Sequence, residues 1–236
     1  MRAVWTLLKK ELKVTFVTPL AYVFLGVFLF LAGLFFYMGI VMTGEASLRV
    51  MMGNLAISLL FVLPMLTMRH FAEEQKAGTF ELLMTSPLSP VALILGKWLS
   101  SMVMCTLMLI GTLIFPLVLE VYGDPDWGII VTSYIGLFLV CGAFTAAGLF
   151  ASSVTNDQVA AGMGGIVLLL PFWLIGNADA LVGEGLQDWL DKLALLPHLR
   201  GFTRGVIDSA DVAYFVAFAF VFLFLTYRTL ESRRWR

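Results

Sequence analysis

The chain contains 236 residues, of which 60% are hydrophobic and only 13% are charged, and its formal net charge is −1. Ordinary soluble domains carry about 25% charged residues, so this composition excludes a soluble globular protein. The two cysteines, Cys105 and Cys141, both fall inside apolar stretches, which excludes a disulfide framework.

Six apolar stretches follow one another along the chain, and none of them contains Asp, Glu, Lys, Arg or His. A helix that crosses ~30 Å of hydrocarbon needs about 20 apolar residues, and each stretch meets or approaches that length. We therefore predict an all-α membrane protein in which residues 1–236 form a single transmembrane domain. The six predicted transmembrane helices are residues 20–43, 51–68, 98–119, 129–151, 159–176 and 212–227.

The segment before the first span predicts an amphipathic helix over residues 2–17. Its apolar residues recur at roughly helical spacing: Trp5, Leu8, Leu12 and Phe16. Three lysines occupy the other face: Lys9, Lys10 and Lys13. Such a helix lies in the membrane interface, where its lysines face either lipid headgroups or a docked partner. The apolar run that follows is longer than the roughly 7–15 residues of a signal peptide, so we expect it to remain in the mature protein.

The loop from Arg69 to Pro90 carries the richest pattern in the chain. Gly78 separates a polar turn from an apolar patch, so the loop is predicted to bend there. Ser89 followed by proline predicts a helix start, because Ser caps free N–H groups and Pro fits the first turn. That helix leads into the third span, and we expect Lys97 to snorkel at its base. The alternative is a polar connector that only rests on the membrane.

Small residues recur at four-residue spacing in the fourth and fifth spans: Ala143, Ala147 and Ala151, then Ala161 and Gly165. This spacing permits close helix contact in lipid, and we expect the contact to lie within the chain rather than at a dimer seam. Prolines inside the spans predict kinks, since each removes one backbone donor. They are Pro64, Pro116 and Pro171.

The segment between the fifth and sixth spans, residues 177–211, is longer and more apolar than a connector requires. Residues 189–196 and the stretch after Pro197 each predict a short external helix. Irregular backbone at membrane depth must be shielded by protein, so these helices either pack over the bundle or dip into the outer leaflet against other spans.

The Lys and Arg residues are distributed unevenly between the two sides of the membrane. Eleven of the 15 fall in loops on one side, and the other side holds only Arg49, Lys192, Arg200 and Arg204. Cytoplasmic loops carry the Lys and Arg excess. Both termini are therefore predicted to face the cytoplasm.

The sequence lacks the motifs of common catalytic and nucleotide-binding sites. It contains no GxxxxGK[ST] loop, so we expect no ATP bound through a P-loop of its own, and no HExxH or GxSxG. His70 and His198 fall on opposite sides of the membrane and cannot share a metal ion. The spans hold no carboxylate, which is the usual mark of an ion or proton path. We expect no catalytic residue, metal or cofactor in this chain, and any transport must draw its energy from elsewhere.

The sequence EEQKAGTFELLMTSP from Glu73 to Pro87, followed by Gly96 and Lys97, resembles the first cytoplasmic loop of ABC-2-type transporter permeases. That family shows an acidic run, Gly-Thr, Glu-Leu-Leu, a proline, and Gly-Lys before the third span. Residues 134–158, and the stretch from Leu196 to the basic tail, resemble the gliding-motility-type branch of the family. The resemblance covers nearly the whole chain and implies a six-span permease subunit of the bacterial inner membrane.

The resemblance further implies that this loop couples the permease to a separate ATPase. Its acidic side chains would make charge-assisted contacts with basic residues of the ATPase, and its apolar side chains would fill a groove there. The implied coupling residues are Glu73, Glu74, Gly78, Thr79, Phe80, Glu81, Leu83, Met84 and Pro87. A secondary cytoplasmic contact is implied for Ser152, Thr155, Asn156 and Gln158.

The partners follow from the same resemblance. Two ATP-binding cassette ATPase subunits, which bind ATP and Mg, would dock from the cytoplasm beside the coupling loop and the N-terminal helix. A second copy of the permease, or a paralogue, would complete a dimer in the lipid bilayer. The chain itself would bind no cofactor and no nucleic acid.

Two other functions stay open at this point. The chain is alternatively a membrane anchor or scaffold of an ATPase-linked cell-envelope complex without classical transport, with a periplasmic-facing auxiliary membrane protein as a further partner. A passive channel predicts rings of polar residues along a pore. The spans contain only scattered polar side chains, so the channel ranks last.

Overall fold

The computed structural model of the protein describes residues 2–44, 47–79, 89–123, 125–176 and 192–234. Within these residues the regular secondary structure is helical throughout. The helices are α1 (Arg2–Val17), α2 (Pro19–Thr43), α3 (Arg49–Thr67), α4 (Arg69–Lys76), α5 (Pro90–Thr112), α6 (Ile114–Tyr122), α7 (Trp127–Val154), α8 (Gln158–Ile175), α9 (Leu195–Phe202) and α10 (Ser209–Arg234).

Among the described residues, six helical segments are long and apolar enough to cross a membrane, which confirms the six predicted spans. They are Pro19–Met42, Arg49–Lys76, Pro90–Tyr122, Trp127–Val154, Gln158–Ile175 and Ser209–Arg233. The third is interrupted at Leu113, between α5 and α6, because Pro116 has no N–H to bond the carbonyl one turn earlier. Helices α3 and α8 run on through Pro64 and Pro171.

Helix α7 lies at the centre of the bundle and packs against α3, α5, α8 and α10. Its small residues Ala143 and Ala147 are fully buried, and Ala161 of α8 is almost so. At Gly165 of α8, an added Cβ atom would lie 2.8 Å from the Pro64 Cβ atom of α3. The small-residue spacing therefore does mediate helix contact within the chain, as predicted. By contrast, α2 leaves a large apolar face exposed, including Phe30.

The amphipathic helix predicted at the start of the chain is present as α1, and one of its faces packs on the bundle. Trp5 is 58% exposed, whereas Leu7, Leu8 and Glu11 are buried. Helix α1 packs on α5 at Gly96, where an added Cβ atom would lie 2.9 Å from the Leu7 Cβ atom. This contact with α5 explains why the Glu11 carboxylate is buried.

The helix predicted after Pro197 corresponds to α9, and the helix predicted over residues 189–196 begins outside the described residues, which resume at residue 192. Helix α9 packs over the bundle, because Leu199 and Phe202 are buried against it. The Thr132 hydroxyl of α7 donates a hydrogen bond to the Phe202 carbonyl at 2.8 Å. Of the two predicted alternatives, packing over the bundle or dipping into the outer leaflet, the first is therefore confirmed for α9.

Candidate functional site

The predicted coupling loop begins with α4, which follows α3 almost without a break. Helix α4 ends at Lys76, and Gly78 then adopts a left-handed φ of +69°, which confirms the predicted bend. The Thr79 hydroxyl donates to the Glu74 carbonyl at 3.3 Å. Five of the predicted coupling residues lie outside the described residues: Phe80, Glu81, Leu83, Met84 and Pro87.

The two acidic residues of α4 point in different directions. The side chain of Glu73 is 55% exposed and lies 3.8 Å from Arg69, whereas that of Glu74 is only 16% exposed. Glu74 accepts a hydrogen bond from the Lys97 ammonium of α5 at 2.8 Å. One carboxylate oxygen of Glu74, Oε1, is therefore already paired inside the chain, and the predicted contact of Glu74 with an ATPase stays a prediction.

Lys97 does not snorkel, which corrects the expectation from sequence. It is 1% exposed, and its ammonium binds Glu11 of α1 at 3.2 Å as well as Glu74. It also lies 5.3 Å above the centre of the Phe71 ring. A buried ammonium is stable only when it is paired. Two carboxylates from two other helices supply that pairing, so Lys97 joins α1, α4 and α5.

Glu11 is ionised in this cluster. Burial alone raises the pKa of the Glu11 carboxyl, but the interaction with His70 and the charge of Lys97 outweigh it and lower that pKa from 4.5 to about 2. The His70 ring nitrogen Nδ1 lies 3.8 Å from Glu11, and Nε2 is 2.7 Å from the Ser101 hydroxyl. Lys10 lies 3.9 Å from Glu11 and 4.0 Å from Glu74. We refer to Lys10, Glu11, His70, Glu74 and Lys97 as the charge cluster.

A second set of bonds joins α4 to the last turn of α7 through Ser152. The Ser152 hydroxyl accepts hydrogen bonds from the N–H groups of Phe71 at 3.0 Å and Ala72 at 3.1 Å, and donates to the Met68 carbonyl at 2.9 Å. The first N–H groups of a helix have no partner within it, and a serine of the same segment normally satisfies them. Here the serine comes from another span, so α4 is capped by α7.

The C-terminal end of α10 completes this face of the bundle. The Arg233 guanidinium donates to Gln75 of α4 at 2.9 Å, to Asn156 at 3.3 Å and to the Val154 carbonyl at 2.8 Å. Gln75 in turn donates to the Ser153 carbonyl at 3.1 Å. One guanidinium therefore contacts α4, the end of α7 and the turn that follows it.

The four predicted secondary contact residues separate into buried and accessible ones. Ser152 is fully buried, Thr155 and Gln158 are half-buried, and Asn156 is exposed. The Thr155 hydroxyl accepts from the Asp157 N–H at 3.2 Å. We call the end of the bundle formed by α1, α4, the start of α5, residues 152–158 and the end of α10 the basic face.

Six apolar helices define a multi-pass membrane protein, and the comparisons with known proteins specify which kind. The chain belongs to the ABC-2 transporter family, because the family described as "ABC-2 family transporter protein" matches residues 42–178, more than half of it. Its members are permease subunits of ABC transporters. Membership of the gliding-motility-type branch stays a prediction.

Similar curated proteins carry the name "Probable multidrug ABC transporter permease YbhR" and come from Escherichia coli (strain K12) and Escherichia coli O157:H7. Each is 26% identical to this chain over 132 residues. The match covers 56% of this chain and 35% of the relative. The chain thus spans only about a third of the length of these relatives.

Proposed function

We propose that the chain is the membrane-spanning subunit of an ATP-binding cassette exporter, and that α4 with the loop after it couples ATP hydrolysis by separate ATPase subunits to substrate movement. The observation that carries this proposal is that α4 is bound to the bundle on two sides. Ser152 joins it to α7, and Lys97 joins it to α5 and α1. A helix held in this way moves with the spans as a rigid body.

The Ser152 contact leads directly to the centre of the bundle. Helix α7 packs against α3, α5, α8 and α10, so a displacement of α4 reaches most of the spans through one helix. Packed helices shift between discrete arrangements rather than deform continuously. A push on the coupling loop is therefore expected to change the arrangement of the spans rather than to be absorbed locally.

A partner has an accessible surface at the end of α4. Glu73, Lys76, Gly78 and Thr79 are exposed there, and so is Asn156 in the neighbouring turn. We assign the ATPase contact to these residues and an internal role to Glu74 and Ser152, because Glu74 Oε1 and the Ser152 hydroxyl bind groups within the chain. The undescribed residues 80–88 would extend the contact as the family resemblance implies.

The orientation of the chain in the membrane follows from the distribution of its Lys and Arg residues. Lys and Arg collect on the basic face, and cytoplasmic segments carry such an excess. We therefore place the basic face in the cytoplasm of a bacterial cell, with the chain in the inner membrane. Two ATPase subunits, carrying ATP and Mg, would dock on this face, and a second copy or a paralogue would complete the dimer.

The experiment that tests the proposal is co-expression with the ATP-binding cassette ATPase encoded beside the gene, followed by purification in detergent and measurement of ATP hydrolysis. We expect a stable complex with the two chains near one to one and an ATPase activity that depends on the permease. Absence of a complex would contradict coupling. A stable complex without substrate movement in vesicles would favour the envelope scaffold instead.

Gly78→Val should uncouple the complex, because a β-branched residue resists the left-handed conformation of this position. The chain offers a matched control in Gly44→Val. Gly44 ends α2 with a φ of +65°, and at either glycine an added Cβ atom would have no heavy atom of the described residues within 4 Å. Both substitutions therefore carry a similar backbone cost, of about 1–2 kcal/mol. Gly44, however, lies at the opposite end of the bundle from α4.

The measurement compares permease-dependent ATP turnover and thermal stability in the two variants. We expect both to lose similar stability, and only Gly78→Val to lose most of its permease-dependent turnover. Equal turnover in the two variants would show that the bend at Gly78 has no part in coupling.

A further inference from the structure

A cavity of about 200 Å³ lies beside the charge cluster, between α1, α2, α4 and α5. A single water molecule requires roughly 15 Å³ of such space, so the cavity admits a considerably larger group. It lies on the basic face, where α2 and α5 begin. Its walls have two distinct parts, one charged and one apolar.

The charged wall is electrically balanced. Besides His70, three cations and three carboxylates line it: Lys10, Arg69, Lys97, Glu11, Glu73 and Glu74. Their formal charges sum to zero when all six are ionised. A ligand with a net charge would therefore leave an uncompensated charge in a partly buried site, which is unfavourable. A ligand that carries one charge of each sign would not.

Two buried atoms of this wall form no hydrogen bond with any of the described residues: Arg69 Nε, which lies 3.8 Å from Glu73 Oε2, and Glu74 Oε2. They have opposite requirements, because the guanidinium nitrogen is a donor and the carboxylate oxygen is an acceptor. A buried polar group without a partner is unfavourable. One ligand satisfies both only if it presents an anionic acceptor and an N–H donor.

The other wall is apolar and continues into the membrane-spanning helices. It is formed by Phe24 of α2, Leu66 of α3 and Met104 of α5, together with Ala21. Phe24 and Leu66 are only half-buried within the chain. An apolar wall that begins beside charged groups suits a molecule whose headgroup lies at the interface and whose chain enters the hydrocarbon.

We propose that this cavity binds the headgroup of a zwitterionic phospholipid with a primary ammonium, as in phosphatidylethanolamine. The phosphate lies against Arg69 and Lys10, the ammonium donates to Glu74 Oε2, and an acyl chain follows Phe24 and Leu66. A choline headgroup has no N–H to donate. A glycerol headgroup brings a net negative charge to a site that is already balanced. The inference is independent of the coupling function, since it concerns the permease chain alone.

The experiment uses the purified full chain in detergent and native mass spectrometry. An equimolar mixture of phosphatidylethanolamine, phosphatidylcholine and phosphatidylglycerol with identical acyl chains is offered, and retained lipid is counted. We expect one phosphatidylethanolamine to be retained in roughly tenfold preference to phosphatidylcholine, the factor that one charge-assisted hydrogen bond supplies. Equal retention of all three lipids, or preference for phosphatidylglycerol, would overturn the proposal.

Two variants test separately the binding of the phosphate and of the ammonium of the headgroup. Arg69→Met should lower the retention of both zwitterionic lipids several-fold without changing their ratio, because both carry the phosphate. Glu74→Gln should abolish most of the preference for phosphatidylethanolamine, because it removes the negative charge that strengthens the hydrogen bond to the ammonium. Arg228→Met is the matched control, since Arg228 does not line the cavity and its side chain is 64% exposed.

Each variant is first compared with the natural chain by gel filtration and thermal unfolding. If Glu74→Gln does not fold, Arg69→Met and the lipid ratio of the natural chain still decide the proposal. Unchanged retention in Arg69→Met would contradict a phosphate site at this position. A parallel loss in Arg228→Met would show that the effect comes from general surface charge.

Discussion

Lys97→Met is expected to lower the free energy of unfolding by about 3–5 kcal/mol at pH 7, the typical cost of removing one partner from a buried ion pair. The variant keeps a long apolar side chain at this position, so the packing of α5 changes little. What it removes is the positive charge between Glu11 and Glu74, which lie 3.2 Å and 2.8 Å from the ammonium. Two carboxylates would then share a buried site.

The pH dependence of the stability loss in Lys97→Met shows whether the missing positive charge beside Glu11 is its cause. The pKa of Glu11 is lowered from 4.5 to about 2 in the folded chain, so the stability that it contributes is fully present above pH 4.5. That contribution, roughly 3 kcal/mol at 1.36 kcal/mol per pKa unit, is lost as the pH falls from 4.5 towards 2. In Lys97→Met, one cause of the lowered pKa is absent. We therefore expect the stability difference between the two proteins to narrow in this range.

Unfolding is measured in detergent at pH 7 and at pH 4. Lys76→Met is the control, because Lys76 lies exposed at the end of α4 on the same face and should change stability by less than about 0.5 kcal/mol. A triple variant, Lys97→Met with Glu11→Gln and Glu74→Gln, should recover most of the loss, since replacing a whole buried ion cluster by neutral groups is often tolerated. A neutral effect of Lys97→Met alone at pH 7 would contradict the assigned role.

The spans and their local features were predictable because their signals lie within single segments. An apolar run long enough to cross the bilayer specifies each span regardless of its neighbours. Ser89 accepts a hydrogen bond from the Ala92 N–H at 3.2 Å, as the Ser-Pro pair predicts. The positive φ of Gly78 and the burial of Ala143 were predictable for the same reason. Each depends on the residue type at that position and on residues close to it in the sequence.

The charge cluster and the Ser152 contact were not predictable in this way, because each joins residues about eighty positions apart. The sequence pattern did not single out Glu11, and Lys97 was predicted to snorkel. A signal did exist, since Glu11 is the single acidic residue of α1 and Lys97 the single charged residue of α5. Each is the only charge of its sign in its helix, which makes the two residues candidates for an ion pair. Choosing the partner still requires the packing of α1 on α5.

Gly148→Ala is expected to destabilise the bundle by about 3 kcal/mol, the upper part of the usual range for an overpacked core. Gly148 lies where α7 meets α3. An added Cβ atom would overlap the Thr67 hydroxyl and lie 3.2 Å from the Pro64 Cα atom. Thr67 is fully buried and its hydroxyl donates to the Leu63 carbonyl at 2.9 Å. The proline backbone cannot yield locally, so α3 and α7 must separate.

This separation should also release α4, because Gly148 and Ser152 are four residues apart and therefore lie on one face of α7. Gly148 sets the distance to α3, and Ser152 binds the N–H groups of Phe71 and Ala72 at the start of α4. We expect amide exchange at Phe71 and Ala72 to accelerate at least tenfold in Gly148→Ala, since 1.4 kcal/mol corresponds to a factor of ten.

The matched control is Gly53→Ala in α3, where an added Cβ atom meets no heavy atom within 4 Å. Alanine favours a helix over glycine by up to about 1 kcal/mol, so this variant should be neutral or slightly more stable, with unchanged exchange at α4. If Gly148→Ala destabilised the chain and left the exchange of Phe71 unchanged, α4 would be held by the charge cluster alone. Coupling would then pass through α5 rather than α7.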